Sequence, residues 1–268
     1  MNNLLNVNPP AEEKRITAWI KNVLKKQGFK SVVIGLSGGI DSTVAFSLIE
    51  RAIPSQNIFV AHLYYFKPKI NSFKSVLRKA NIPQENICNI SIKNAVDTIQ
   101  KTIGLMEASR DYRVRLGNIM ARIRMIALYD LAKKHNALVC GTENKSEFYL
   151  GYFTRFGDEA SDFEPIRHLY KTQVYQLAKY LNVPRKIIDL QPTAELWTGQ
   201  ADEIDFGFSY EEADQVLSLY LDRKKSLPEI ISKGFPNAKK VIDWMYKNSF
   251  KHHLPYSLRS SENLGLDK

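Results

Sequence analysis

The chain has 268 residues, 44% of them hydrophobic and 25% charged, an ordinary balance for a globular protein and enough length for one large α/β domain with a substantial core. Lys and Arg outnumber Asp and Glu by 38 to 28, and the resulting charge of +10 suits a polyanion such as RNA, a membrane surface or a nucleotide with several phosphates. No apolar run approaches the ~20 residues that cross a bilayer, Met1–Pro10 lacks the basic and apolar regions of a signal peptide, and Cys88 and Cys140 are too few for a disulfide framework or a cysteine zinc site, so a cytoplasmic protein is expected.

In chain order, Ala11–Gln27 carries apolar residues at helical spacing and stops at Gly28. The β-branched run "KSVVIGL" reads as a buried strand, "DSTVAFSLIERAI" as a helix ended by Pro54, and "NIFVAHLYYF" as a second strand. "SFKSVLRKANI" is a helix, "NICNISI" a third strand and "NAVDTIQKTIGL" another helix; a longer helix runs from about Arg110 to Lys134, before a fourth strand, "ALVCGT". After an irregular Gly- and aromatic-rich stretch, "KTQVYQLAKYLNV" is helical, Gln191–Ser209 shows no period, and Tyr210–Met245 reads as all helix. Strands alternating with helices predict a doubly wound parallel sheet with helices on both faces. The expected organisation is a single unit: a core over about 11–190, a helical extension over about 191–255 and a tail over 256–268. Ligands in such sheets bind at the carboxyl ends of the strands.

The first strand runs into "GLSGGIDS". Gly38 and Gly39 permit positive φ and close backbone approach, and the N–H groups at the following helix start form an anion site to which Ser37 and Ser42 add hydroxyls. Asp41 would repel phosphate unless a cation lay between them, which argues for Mg²⁺. No Lys precedes Ser42, so this is not the GxxxxGK[ST] loop and better suits a pyrophosphate released whole. The competing reading is a plain strand-to-helix turn with Asp41 as a helix-start acid.

Further on, "GNIMARIRM" places Asn118, Arg122 and Met125 on one side of a helix, with Ile119, Ile123 and Ile126 as an apolar stripe. Thr142, at the end of the fourth strand, is placed to meet adenosine or ribose. Glu147 is a second candidate oxygen ligand for Mg²⁺, or else a helix-capping acid. Arg155, Asp158 and Asp162 share a loop able to cover a substrate. Cys88 and Cys140 read as buried small hydrophobes, and His252 and His253 as solvated.

The S-G-G-x-D-S loop resembles that of the ATP pyrophosphatases, which adenylate a substrate and expel pyrophosphate. "GTENKSEFYLGYFTRFGDEASD", "PIRHLYKTQVYQLAKYLNVP", "PTAELW" and "FKHHLP" together resemble the NH3-dependent NAD synthetases over about Ala11–Pro255. The resemblance implies amidation of deamido-NAD by ammonia through an adenylated intermediate, with release of AMP and pyrophosphate. It implies ATP contacts by Gly35, Leu36, Ser37, Gly38, Gly39, Ile40, Asp41, Ser42, Thr142, Lys171 and Thr193. Deamido-NAD contacts fall on Arg122, Arg155, Asp162 and Lys251, Mg²⁺ on Asp41 and Glu147, and catalytic roles on Asp41, Asp158 and Asp162. Phe250 stands where some members carry His. A homodimer is expected, with no nucleic acid and no membrane. About 30 residues precede the first strand, too few for a glutaminase, so free ammonia or ammonia from another protein is the expected donor. The rivals are a tRNA-modifying ATP pyrophosphatase, which the charge would suit, and a non-catalytic nucleotide sensor.

Overall fold

The computed structural model describes residues 5–252, apart from positions 69, 110, 195 and 198 and the side chain of Ser72. The expectations about His253, the 253–255 boundary and the tail lie outside these residues, as does the proposed helix start at Arg110.

A parallel four-stranded sheet in the order β3-β2-β1-β4 forms the centre, from β1 (Ser31–Gly35), β2 (Ile58–Tyr64), β3 (Ile87–Ser91) and β4 (Ala137–Cys140). Successive strand residues point to opposite faces. Val32 and Ile34 accordingly enter one core with α1 (Pro9–Gln27), α2 (Ile40–Ala52), α3 (Ile70–Lys79) and α7 (Lys171–Tyr180). Val33 enters the other, with α4 (Lys93–Thr102) and α5 (Tyr112–His135). Because the chain is apolar on both sides of each central strand, the sheet is covered on both faces, as the sequence predicts.

Local chemistry sets the element ends. The Asn8 side chain accepts from Ala11 N–H at 3.3 Å and Pro9 starts α1, while Gly28 ends it at φ +75. Asn144 and Glu147 form a reciprocal capping box on α6 (Lys145–Leu150). Beyond β4, an isolated parallel bridge joins Cys140 to Phe163.

After α8 (Arg185–Ile188), the chain forms α9 (Asp202–Phe206), α10 (Tyr210–Leu217), a π-helical turn Ser218–Asp222, α11 (Leu227–Ser232) and α12 (Ala238–Asn248). These helices enclose an apolar cluster centred on Phe206, Val216, Leu217 and Val241, which also draws in Leu5, Leu150 and Tyr170. That sharing fastens the C-terminal helices to α6 and α7. Among the described residues no helix is long and apolar enough to cross a membrane.

Two details differ from expectation. Cys140 is buried but Cys88 is only half-buried, because β3 is an edge strand. On α5 the covered face is Leu116, Gly117, Met120 and Ala121, whereas Ile126, expected in an apolar core stripe, is 57% exposed.

Candidate active site

The loop Leu36–Gly39 leaves the carboxyl end of β1, with Gly38 at φ +94, a conformation that favours glycine. Gly39 caps α2 without a side-chain hydrogen bond, so its first turn presents backbone N–H groups to the loop. The two serine hydroxyls meet at 3.0 Å, and Ser37 Oγ also accepts from Gly39 N–H at 3.2 Å. Backbone donors, hydroxyls and a helix N-terminus thus converge as the sequence suggests.

Asp41, in the first turn of α2, accepts from Lys171 Nζ at 2.5 Å through Oδ2 and from Asn144 Nδ2 at 2.9 Å through Oδ1. Lys171 also donates to Glu147 Oε1 at 3.2 Å. One buried ammonium at the start of α7 therefore joins two carboxyl groups from the first turns of α2 and α6. Lys171 is 2% exposed, and burial, which alone would lower its pKa, is outweighed by Asp41 and Glu147, so the ammonium is held charged. Burial, opposed by Lys171 and reinforced by Asp41, pushes Glu147 up to about 8. Glu147 fulfils both readings at once: Oε2 accepts from Asn144 N–H at 3.4 Å as a cap, while Oε1 faces Lys171.

A third acid borders this cluster. Asp202, 3% exposed, accepts from Tyr210 O–H at 3.1 Å, and burial raises its pKa. Sequence reasoning named neither Asp202 nor Asn144. The Asn-x-x-Glu capping pattern at 144–147 was a usable signal for Asn144; Asp202 lies in a stretch without period, and nothing local marks it.

The remaining residues form a neighbouring group. Arg122 donates through Nε and Nη2 to the carbonyl of Arg155 at 3.3 and 3.2 Å, which ties the α5 surface to the loop after α6. Asp158 Oδ1 accepts from Thr154 N–H at 2.9 Å. Asp162 has a structural task as well: Oδ2 accepts from Val139 N–H at 2.7 Å, closing the outer edge of β4. Thr142 follows β4 and is half-buried, as is Thr193 in the segment before α9. Lys251 donates to the carbonyls of Gly151 and Phe153 at 2.7 and 2.9 Å. His252 is not solvated as expected: it is half-buried, with Nε2 2.5 Å from the Phe148 carbonyl, Nδ1 3.1 Å from that of Ser249, and its ring against Phe148.

A parallel sheet whose first strand delivers a Ser-Gly-Gly loop beside two carboxyl groups is the architecture of an α/β nucleotide-binding protein. Within that class the chain belongs to the NAD synthase family, whose model matches residues 12–255. The NH(3)-dependent NAD(+) synthetase of Chlorobaculum parvum is 40% identical over 95% of this chain and 91% of its own length. Among solved structures, the NMN synthetase of Francisella tularensis superposes with a TM-score of 0.79 at 31% identity, covering 95% of this chain and all (100%) of that one. The NH3-dependent NAD synthetase of Campylobacter jejuni superposes at 0.77 with 30% identity, covering 94% and 100%.

Proposed function

We propose that the protein amidates deamido-NAD with ammonia at the expense of ATP, forming NAD, AMP and pyrophosphate. The observation that carries this reading is the Asp41–Lys171–Glu147 cluster set against the Ser37–Gly39 loop. In the first step a nicotinate carboxylate oxygen attacks the α-phosphorus, an O–P bond forms, and the bond to pyrophosphate breaks. Ammonia then attacks the acyl carbon; the C–N bond forms, the C–O bond breaks with its electron pair leaving on AMP, and the excess proton goes to a base. Activation is needed because an unactivated carboxylate has no competent leaving group.

The residues supply position and charge more than covalent chemistry. The loop N–H groups and the Ser37 and Ser42 hydroxyls hold the departing pyrophosphate, and Lys171 reaches its oxygens. Thr142 and Thr193 bind the rest of ATP, while Arg122, Arg155 and Lys251 bind deamido-NAD. Asp158 and Asp162 are the candidate proton acceptors, each already accepting one backbone N–H, from Thr154 and Val139. The charge of +10 suits two polyanionic substrates as well as it suits RNA.

The donor set fits Mg²⁺. Asp41 and Glu147 converge on one cation, and two carboxylates completed by phosphate oxygens are a usual Mg²⁺ environment. When bound there, the ion neutralises charge on the phosphates. Glu147 must then be ionised, and the sign follows from its raised pKa. Between its usual value near 4.5 and about 8, the folded protein holds a proton that the unfolded chain has lost, so this group's contribution to stability falls as pH rises through that window. Binding of Mg·ATP near neutral pH should consequently release protons. Calorimetry in two buffers of different ionisation enthalpy measures it; no release would contradict Glu147 as a ligand.

The same reading includes a cytoplasmic homodimer. Val114 and Ile126 on α5, and Ile103 and Met106 in the segment just before it, are exposed apolar side chains (51%, 57%, 52% and 68%), the candidates for contact with a second copy of the chain. Ile126→Glu should shift the protein towards monomer in sedimentation; an unchanged dimer would place the interface elsewhere.

The test of function is turnover of ATP and deamido-NAD with ammonium or glutamine, run in parallel with nicotinate mononucleotide because one structural relative is an NMN synthetase. NAD formed from deamido-NAD and ammonium is the expected outcome. Amidation of the mononucleotide alone would reassign the substrate.

A further inference from the structure

The C-terminal helices supply two carboxylates whose contacts fall on the residues that begin α6 and α7. Asp214, on α10, is fully buried at 0% exposure. Its Oδ1 accepts from the Ser146 hydroxyl at 2.5 Å, and its Oδ2 accepts from Thr172 N–H at 2.8 Å. Ser146 Oγ in turn accepts from Lys171 N–H at 2.8 Å. Ser146 is the neighbour of Glu147, so a single carboxylate fixes the backbone beside both charged groups of the site. Its negative charge also lies at the N-terminus of α7, where unpaired N–H groups and the helix dipole favour it.

Asp222 repeats the pattern one step earlier in each segment. It accepts from Lys145 Nζ at 2.8 and 2.9 Å and from Tyr170 O–H at 2.9 Å. Eight residues of regular α-helix would leave Asp214 and Asp222 about 80° apart around the axis. The turn Ser218–Asp222 is π-helical instead, with Arg223 N–H bonded to Ser218 O at 3.1 Å, and this wider turn returns Asp222 to the side of Asp214. Each carboxylate therefore grips one residue of α6 and one residue at the start of α7.

We propose that Asp214 and Asp222 form a two-point clamp in which Asp214, through Ser146, is a positioning residue that sets where Glu147 and Lys171 stand, although neither Asp touches either group. The proposal rests on the reading of that pair as the Mg·ATP site. Ionised, hydrogen-bonded supports of this kind typically govern binding by 10–100-fold when removed, through orientation and not through contact.

The test compares wild type, Asp214→Asn, Ser146→Ala and the double variant, by thermal melting, calorimetric binding of Mg·ATP and steady-state kinetics. Each single variant should melt cooperatively, bind Mg·ATP about tenfold more weakly and show a raised KM for ATP with the KM for ammonium unchanged. The double variant should lose little beyond Asp214→Asn, because the two residues act as one unit. Ser146→Ala carries the test alone if Asp214→Asn does not fold. Wild-type Mg·ATP affinity in a less stable variant, or losses that simply add, would overturn the clamp. Wild type that binds Mg·ATP yet makes no NAD would overturn the reading of the reaction and leave the clamp intact.

Discussion

Asp41→Asn is expected to lower turnover by ~10²-fold or more while the protein stays folded. Both oxygens of Asp41 accept from strong donors, Asn144 Nδ2 and Lys171 Nζ. An asparagine offers one acceptor oxygen and turns its amide N–H₂ towards the other donor, so one contact is lost along with the charge. The fold should survive because Glu147 still faces Lys171 and the sheet cores lie below the loop. Circular dichroism establishes folding, and initial rates of AMP release establish turnover. A folded variant at the wild-type rate would remove Asp41 from the metal site.

Lys171→Met should have a comparable or larger effect on turnover, ~10²–10³-fold, and an opposite effect on metal binding. The Lys171 ammonium stands between the carboxyl groups of Asp41 and Glu147. Removing it strips a cation from the proposed phosphate site and raises the negative potential at Asp41 and Glu147. Mn²⁺ binding without nucleotide should therefore tighten, as read by electron paramagnetic resonance, while ATP binding weakens. The side chain is 2% exposed, so the loss in stability needs its own melting curve. Weaker Mn²⁺ binding would contradict this electrostatic reading.

How far the sequence reached depends on whether a feature is local. The loop proposed to hold phosphate is contiguous, and strand, glycines and helix start are all visible in eight residues. The alternation of elements gave the parallel sheet for the same reason. The meeting of Lys171 with Asp41 spans 130 positions and depends on the strand tips being brought together, which no spacing encodes. Asp162 and His252 show the reverse problem: each looks available in the sequence, yet β4 needs an edge acceptor and the last turn before residue 253 packs on Phe148. Ile126 belongs to a helical stripe whose period is plain, but the period does not say which of the two sides of α5 the sheet covers. Asp214 sits on an ordinary amphipathic helix, and only its partners mark it.

The most direct test of the central claim is incubation of the purified protein with ATP, Mg²⁺ and deamido-NAD, with either ammonium or glutamine, while NAD and AMP are followed together. The account predicts equal amounts of NAD and AMP with ammonium and neither with glutamine alone. A folded, ATP-binding sample that forms neither product with ammonium would contradict it and turn attention to RNA substrates suited to the charge of +10.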